Sequence, residues 1–214
     1  IRDRSPSRGL GDVYKRQDLV SVPQNLVVKL PENVSYEEAS FTTLGAIAMQ
    51  GVRQANPKLG ENVLVIGLGL LGQITCQILK ANGCNVFGLD LSQKLVDIAA
   101  EISADKTLNR NDPNLETAAL NFAKGQGFDS VIITAAAPSN DPIELASVLA
   151  RKKASVIIVG AVKMDIPREP YFYKKELELK MSCSYGPGRY DTSYEENAND
   201  YPYAYVRWTE GRNM

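Results

Sequence analysis

An apolar run that leads directly into three closely spaced glycines narrows the range of possible folds more than anything else in this chain. Asn62–Ile66 predicts a strand that is buried on both faces, as in the interior of a parallel sheet. Leu70–Ala81 predicts a helix shortly after it. The turn between them comprises Gly67, Leu68, Gly69, Leu70, Leu71 and Gly72. A strand, a glycine turn and a helix in this order begin a βαβ unit, and such units build parallel sheets covered by helices.

The same alternation continues along most of the chain. Further strands are predicted at Leu26–Leu30, Asn85–Leu89, Lys106–Leu108, Ser130–Thr134, Ala154–Val159 and Leu177–Ser184. Further helices are predicted at Tyr36–Ala55, Ser92–Glu101, Asn114–Lys124 and Pro142–Arg151. Ser35 and Glu38 form a capping-box pattern before the first of these helices. The sequence therefore predicts an α/β fold with a doubly wound parallel sheet, the Rossmann fold, with a partial N-terminal lead-in and an irregular aromatic C-terminal tail.

The glycine turn has the G-x-G-x-x-G spacing of a dinucleotide-binding loop, in the strand-turn-helix context that this loop requires. Gly67 would allow the tight turn, Gly69 would leave room for a pyrophosphate, and Gly72 would let helix and strand pack closely. Free N–H groups and a partial positive charge at the helix N-terminus favour a bound phosphate. We therefore predict that Gly67 to Gly72 bind the pyrophosphate of a nicotinamide cofactor.

Asp90 lies at the end of the next strand, 18 residues after Gly72. A carboxylate at about this spacing can hydrogen-bond the adenosine ribose and would repel the 2′-phosphate of NADP(H). Leu91 follows, where NADP enzymes often have a basic residue, so the predicted cofactor is NAD(H). Lys94 is the nearby cation that would weaken this preference. Asp90 could instead be only an acidic residue at a helix N-terminus, beside Ser92.

Two later strand ends would complete a dinucleotide site, because ligands of open α/β sheets bind outside the carboxyl ends of the strands. The candidate cofactor-binding residues are Ala135 and Ala136 after one strand, and Val159, Gly160 and Ala161 after the following one. The alanine run at 135–137 could equally form a tight turn with no role in binding.

The composition excludes several other classes of protein. The 214-residue chain has no histidine, which removes histidine-based catalytic triads and dyads and all histidine-coordinated metal sites. A formal charge of −1 and the lack of a long basic run disfavour nucleic-acid binding. The longest apolar stretch is well below the roughly 20 residues that a membrane-spanning helix needs. Three cysteines without CxxC spacing indicate buried structural thiols in a reducing cytoplasm.

The glycine loop alone leaves other functions open. An S-adenosylmethionine-dependent methyltransferase or an FAD-binding half-domain can use the same geometry at the same sheet edge. A non-catalytic regulatory module that senses NAD(H) would also have this loop and this carboxylate. The fold does not separate these functions, since one fold can carry many different sites.

Several segments taken together are more specific than the glycine loop. They read VPQNLVVKLPENVSYEEAS, then LGAIAMQGV, then KLGENVLVIGLGLLGQITCQILKANGCNVFGLDLSQKLVDIAAEISADKTLN. Over about Asp18 to Ser184 the chain resembles the cofactor half of the medium-chain, zinc-type alcohol dehydrogenase superfamily. The tail from Ser182 to Met214 resembles a narrower branch, bacterial oxidoreductases in which such a unit is followed by a glucose-fructose-oxidoreductase-like unit.

This resemblance implies an enzyme that transfers hydride between a nicotinamide cofactor and an alcohol or sugar. In that family an N-terminal barrel supplies the zinc ligands and the proton relay, and the sequence has no counterpart of that barrel. We therefore expect an internal fragment that has no catalytic or metal-binding residues of its own and binds NAD(H) without turning over substrate. The resemblance also implies a homodimer that forms edge to edge through the last strand, Leu177–Ser184.

Three segments are predicted along the chain. Residues 1–17 are basic, without apolar periodicity, and are expected to be a non-native or disordered leader. Residues 18–184 would form the NAD-binding domain, and residues 185–214 a tail with six tyrosines and the single tryptophan. Long irregular segments are usually functional, disordered or partner-facing. The tail would either line the substrate site through Arg189, Tyr190 and Arg207, or pack on a domain missing here and be mobile without it.

Overall fold

The computed structural model describes residues 20–214, so the predicted leader of residues 1–17 lies outside the described part of the chain. Its centre is a sheet of six strands: β1 (Asn62–Ile66), β2 (Asn85–Asp90), β3 (Lys106–Asn109), β4 (Phe128–Ile133), β5 (Ala150–Ile158) and β6 (Glu178–Met181). All neighbouring strands are parallel, in the order β3-β2-β1-β4-β5-β6. The predicted doubly wound Rossmann sheet is confirmed.

Helices connect the strands and cover the sheet. They are α1 (Tyr36–Ala39), α2 (Thr42–Ala55), α3 (Leu70–Ala81), α4 (Gln93–Ile102), α5 (Leu115–Phe122), α6 (Asp141–Leu149), α7 (Tyr173–Lys175), α8 (Thr192–Glu195) and α9 (Glu210–Asn213). A 3-10 turn, Gln24–Leu26, precedes them. The predicted capping box is present, since the Glu38 N–H donates to Ser35 Oγ at 3.2 Å and the Ser35 N–H donates to Glu38 Oε2 at 2.9 Å.

The central strands are apolar along their length because both of their faces are buried. In β1, Val63 and Val65 pack into the apolar cluster on one face of the sheet, and Leu64 and Ile66 into the cluster on the other. None of the four side chains is more than 6% exposed. Burying a side chain of this size contributes roughly 1.5–3 kcal/mol, so β1 firmly anchors the residues that follow it.

The strand register brings the carboxyl ends of the central strands to one edge of the sheet. Ile66 at the end of β1 pairs with Leu89 of β2 on one side and with Ile133 of β4 on the other. The strand order runs outward from β1 in one direction and from β4 in the other, so the topological switch point lies between these two strands. Open α/β sheets bind their ligands at such a point.

Two predictions for the N-terminal part are wrong. The segment Leu26–Leu30 is not a strand, because Leu26 ends the 3-10 turn and no strand in residues 20–214 pairs with the half-exposed valines that follow. The predicted helix Tyr36–Ala55 is two helices, α1 and α2. It is interrupted at Ser40, whose hydroxyl donates to the Glu37 carbonyl oxygen at 2.7 Å and so offers the backbone an alternative to helical pairing.

The remaining predicted elements are present, some of them with shifted ends. The first central strand and the helix after it have the predicted bounds. The predicted helix Pro142–Arg151 ends at Leu149, and a register irregularity against β4 lets β5 begin at once rather than at Ala154. β6 has four residues and is shorter than the predicted Leu177–Ser184.

The aromatic tail has an ordered position against this chain, whereas it was expected to be mobile without a further domain. Tyr194 of α8 is 3% exposed, and its carbonyl oxygen accepts a hydrogen bond from Asn25 Nδ2 at 3.0 Å. Arg53 of α2 donates from Nε to Asn213 Oδ1 of α9 at 2.8 Å. The tail is therefore held against α2 and the N-terminal lead-in, and two short helices interrupt the predicted irregular segment.

Two of the three cysteines fit the predicted structural role. Cys76 and Cys84 are buried and free, whereas Cys183 is exposed. Burial raises the pKa of the Cys76 thiol to about 12, so this thiol stays protonated at neutral pH. Within residues 20–214, no helix is long and apolar enough to cross a membrane, and no group of three histidine, cysteine or acidic side chains could hold a metal ion.

Candidate functional site

A cleft of about 290 Å³ opens at the carboxyl edge of the sheet, beside the switch point. Residues at the ends of β1, β2, β3 and β4 line it, together with the start of α6. The strand ends that the sequence singles out therefore do border a cavity.

Two glycines of the turn are required by the protein's own backbone. Gly67 has φ +99°, and a Cβ there would lie 2.5 Å from the Ala135 backbone nitrogen. A Cβ on Gly72 would lie 1.9 Å from the Gly67 carbonyl oxygen. Since neither gap admits a side chain, these glycines let α3 and the end of β4 pack directly on the turn.

Gly69 differs from these two because no protein atom lies within 4 Å of the place that its Cβ would take. Its backbone, at φ −63° and ψ −171°, is accessible to other residues as well. Gly69 lines the cleft and is the N-cap of α3, with no side-chain hydrogen bond at that cap. The first turn of α3 therefore presents its N–H groups to open space, which suits a phosphate.

Thr134 fastens the glycine turn to the end of β4. Its hydroxyl donates to the Gly67 carbonyl oxygen at 2.5 Å and lies 3.3 Å from the Ile66 carbonyl oxygen. The N–H groups of Thr134 and Ala135 also donate to the Ile66 carbonyl oxygen, at 2.9 and 3.1 Å. The two central strand ends are thus joined directly beside the cleft.

Asp90 supports the glycine turn from the other side. Its Oδ2 accepts a hydrogen bond from the Leu68 N–H at 2.6 Å, and its Oδ1 accepts one from the Ser92 N–H at 2.8 Å. The second bond shows that Asp90 also serves the N-terminus of α4, which was the alternative reading. Each carboxylate oxygen can accept a further hydrogen bond, and Asp90 lines the cleft. A ribose hydroxyl could therefore bind there without displacing either backbone contact.

The predicted binding residues fall into two groups. Those that line the cleft are Gly67, Gly69, Asp90, Leu91, Ala135 and Ala136. Those outside its lining are Leu68, Leu70, Leu71, Gly72, Val159, Gly160 and Ala161, and likewise the tail residues Arg189, Tyr190 and Arg207. Leu68 has a fully buried side chain in the core, so only its backbone faces the turn.

The segment after β5 lies beside the three alanines at 135–137. The N–H groups of Val159 and Gly160 both donate to the end of β4 at 2.9 Å, and the Ala137 N–H donates to the Ala161 carbonyl oxygen at 2.9 Å. A Cβ on Gly160 would lie 2.0 Å from the Ala135 carbonyl oxygen. The alanine run therefore continues the parallel pairing and is not the tight turn considered from the sequence.

Two cleft side chains, Arg110 and Asp141, are not among the predicted site residues. Both line the cleft, and they are joined by two hydrogen bonds, from Arg110 Nε to Asp141 Oδ2 at 3.0 Å and from Arg110 Nη2 to Asp141 Oδ1 at 2.5 Å. Arg110 could have been identified from the sequence, because it closely follows a predicted strand. Asp141 could not, because acidic residues are common in the first turn of any helix.

The sequence has counterparts among known proteins. A family model described as zinc-binding dehydrogenase matches residues 71–199. The chain is 32% identical to an alcohol dehydrogenase from Geobacillus stearothermophilus over 143 residues, which cover 66% of this chain and 41% of that protein. The chain thus spans less than half of the length of this relative.

The fold also has counterparts among solved structures. Galactitol-1-phosphate dehydrogenase from Escherichia coli matches 75% of this chain, and 47% of its own, with a TM-score of 0.67 and 22% identity. A short chain alcohol dehydrogenase from Escherichia coli CFT073, complexed with cofactor NADH, matches 73% of this chain and 46% of its own, with a TM-score of 0.63 and 26% identity. At such low identity, the first of these likenesses concerns the fold alone.

Proposed function

The chain belongs to the zinc-binding dehydrogenase family, and on that basis we propose that its cleft binds NAD(H) as the cofactor site of an oxidoreductase. The parent protein would transfer hydride between the nicotinamide ring and an alcohol or sugar carbon. The cofactor supplies the hydride chemistry when bound, and the task of this chain is to hold and orient it.

The observation that carries the proposal is the open space at Gly69. A pyrophosphate at the N-terminus of α3 would meet free N–H groups and the helix dipole, with no Cβ in its way. At Gly67 and Gly72, in contrast, protein atoms already occupy the place of a Cβ, so of these three glycines only Gly69 offers open space there. The residues present therefore fit a dinucleotide.

The other cleft residues complete the proposed site. Asp90 would accept hydrogen bonds from the ribose hydroxyls, and its charge would disfavour a 2′-phosphate. Leu91, Ala135 and Ala136 supply apolar walls around the adenosine and pyrophosphate. The backbone at 159–161 lies one strand further along and would border the nicotinamide end of an extended cofactor.

The substrate is proposed to be a small alcohol or sugar, and the name of the alcohol dehydrogenase relative supports the alcohol. Zinc ligands and a proton relay would come from an N-terminal barrel of the parent protein, so this chain alone would bind cofactor without turning over substrate. We further propose a cytoplasmic parent in which a glucose-fructose-oxidoreductase-like unit follows this one.

A homodimer through β6 is part of the proposal. β6 is the last strand of the sheet and pairs only with β5, which leaves its other edge free in residues 20–214. Met181 on this strand is 57% exposed. A free edge and an exposed apolar side chain suit edge-to-edge pairing with a second copy.

The test is a fluorescence titration of the 214-residue chain with NADH, NADPH and S-adenosylmethionine. We expect saturable NADH binding that is tighter than NADPH binding, and no binding of S-adenosylmethionine. Gly69→Ala should weaken NADH binding at least tenfold with little change in the melting temperature, because the new methyl group enters open space in the empty protein. Asp90→Ala should weaken it as well, whereas Glu101→Ala, which removes an exposed carboxylate of α4, should not.

Three results would overturn the proposal or part of it. Binding of S-adenosylmethionine without NADH would favour the methyltransferase, which the family assignment does not support. Unchanged NADH affinity in Gly69→Ala would show that the cofactor does not approach the N-terminus of α3. A parent-length protein that binds NADH but never oxidises an alcohol or sugar would favour the regulatory module instead.

A further inference from the structure

The lining of the cleft includes an ion pair that the proposed function does not use. Arg110 follows β3, and Asp141 is the first residue of α6. The guanidinium and the carboxylate lie side by side, with both carboxylate oxygens accepting from different guanidinium nitrogens. Their side chains are 30% and 47% exposed, so the pair faces the cleft rather than the core.

Arg110 is a close neighbour of the carboxylate proposed to bind ribose. The Arg110 N–H donates to the Asp90 carbonyl oxygen at 2.8 Å, and Asp90 pairs with Asn109 in the β2–β3 register. The guanidinium and the Asp90 carboxylate therefore extend from adjacent positions on neighbouring strand ends and line the same cleft.

Asp90 and an unpaired Arg110 would favour different dinucleotides. A carboxylate at the ribose favours the cofactor with a free 2′-hydroxyl, whereas an arginine close to it is the residue that accommodates a 2′-phosphate. Free guanidinium groups bind phosphate through two parallel hydrogen bonds. An unpaired Arg110 would therefore act against the selectivity that Asp90 provides.

Asp141 removes this conflict. Its carboxylate occupies the Nε/Nη2 edge of the guanidinium, one of the edges at which a phosphate could bind in a bidentate way, and cancels the charge of Arg110. Asp141 also lies in the first turn of α6, where the helix dipole favours a negative charge. The pair thus presents no net charge to the cleft, and two of the five guanidinium N–H donors are already used.

We propose that Asp141 determines cofactor selectivity by holding the Arg110 guanidinium away from the place of a 2′-phosphate. The proposal rests on the NAD(H)-binding function proposed above. Asp141 is a positioning residue in this account, because it acts through Arg110 and need not touch the cofactor. Loss of its charge would free Arg110 for NADP(H).

The experiment compares NADH and NADPH affinities of the unaltered chain with those of Asp141→Asn, Arg110→Met and the double variant. Asp141→Asn should tighten NADPH binding about tenfold, the scale of one hydrogen bond to a charged group, and change NADH binding less than about twofold. The gain should be absent in Arg110→Met and in the double variant. Melting temperatures of all four proteins show whether each is folded.

A purely structural ion pair would give a different pattern. Loss of the pair would weaken the binding of NADH and of NADPH by similar factors and would lower the melting temperature. The ratio of the two affinities would then not depend on Arg110. That pattern, with NADH still bound by the unaltered chain, would overturn the selectivity proposal and leave the NAD(H) proposal standing. Failure of the unaltered chain to bind NADH would overturn both.

Discussion

The hydroxyl of Thr134 donates a 2.5 Å hydrogen bond to the carbonyl oxygen of Gly67, so the end of β4 holds the turn that follows β1. The two residues are 67 positions apart in the chain. The bond fixes the Gly67 carbonyl group within the glycine turn, and it joins the two strands at the topological switch point. The shape of the glycine turn is therefore set jointly by its own sequence and by a neighbouring strand.

Replacing Thr134 with valine should loosen this turn while keeping its volume. We expect Thr134→Val to lower the free energy of unfolding by about 1 kcal/mol, the usual net value of one hydrogen bond. NADH affinity should fall several-fold, because the loop is less well positioned. Urea unfolding and NADH titration measure the two effects. Thr134→Ser keeps the hydroxyl and should retain the affinity; equal loss in both variants would assign the effect to packing.

A second prediction concerns the close packing at Gly72. A Cβ there would lie 1.9 Å from a backbone oxygen, so Gly72→Ala requires α3 to move away from the turn. We expect Gly72→Ala to lower the free energy of unfolding by about 3 kcal/mol or more, as at other overpacked sites. Gly45→Ala is the matched control, because nothing lies within 4 Å of its Cβ position in α2. Gly45→Ala should raise the free energy of unfolding by roughly 0.5–1 kcal/mol, because alanine favours the helix more than glycine does. Equal urea midpoints for the two variants would contradict the geometry.

The third prediction concerns Lys175, which caps the end of α6. Its Nζ donates to the carbonyl oxygens of Ser147, Val148 and Ala150 at 2.7–2.8 Å. Burial lowers the pKa of this ammonium group, and the helix dipole favours its charge. Lys175→Met leaves the three carbonyl groups without this donor. It should lower the free energy of unfolding by about 2 kcal/mol.

Lys174→Met is the control for this prediction, since the neighbouring lysine is exposed. The measurement is the free energy of unfolding from urea titrations of both variants. Hydrogen exchange of the amides in α6 should also be faster in Lys175→Met. If both substitutions have the same small effect, the three hydrogen bonds make no net contribution to stability.

The parts of the fold that depend on local patterns could be predicted from the sequence. β1 and α3 have the predicted bounds, because an unbroken apolar run and a glycine turn determine them within about twenty residues. The same local spacing identified Gly69 and Asp90 as cleft residues. Prediction failed at Leu26–Leu30, where a strand-like sequence has no neighbouring strand to pair with in the described part of the chain.

Features that depend on distant contacts could not be predicted. The Arg110–Asp141 pair joins positions 31 residues apart, and neither residue type is unusual at its own place. The tail is held by contacts such as that between Asn25 and Tyr194, which are 169 residues apart. No periodicity in the tail indicates that it returns to the start of the chain, so it could be predicted only as irregular.

The fourth prediction tests the proposed dimer edge. Sedimentation velocity of the 214-residue chain at micromolar concentration should show a dimer. Met181→Asp should give a monomer, because a strand–strand contact would have to desolvate the added charge on each β6. Met164→Asp is the control, since Met164 is similarly apolar and 40% exposed outside the sheet. A monomeric mass for the unaltered chain would refute the edge-to-edge contact.

The last prediction concerns Glu210 in the tail, a carboxyl group that is fully buried and has no hydrogen-bond partner for either oxygen among residues 20–214. Desolvation raises its pKa to about 7, and the nearby charge of Glu195 adds to this rise, while Arg189 opposes it. The folded chain therefore holds this proton more tightly than the unfolded chain, in which the pKa is near 4.5.

Because the folded pKa is the higher of the two, the folded state binds more protons between pH 4.5 and about 7. The free energy of unfolding should fall as the pH rises through this window, by roughly 3 kcal/mol for a pKa raised from 4.5 to about 7, and then level off. Glu210→Gln should remove the fall and be more stable than the unaltered chain at pH 8, whereas Glu37→Gln, at an exposed position, should keep it. Urea titrations at a series of pH values measure the slope, and an equal slope in the unaltered chain and Glu210→Gln would show that Glu210 does not titrate in this range.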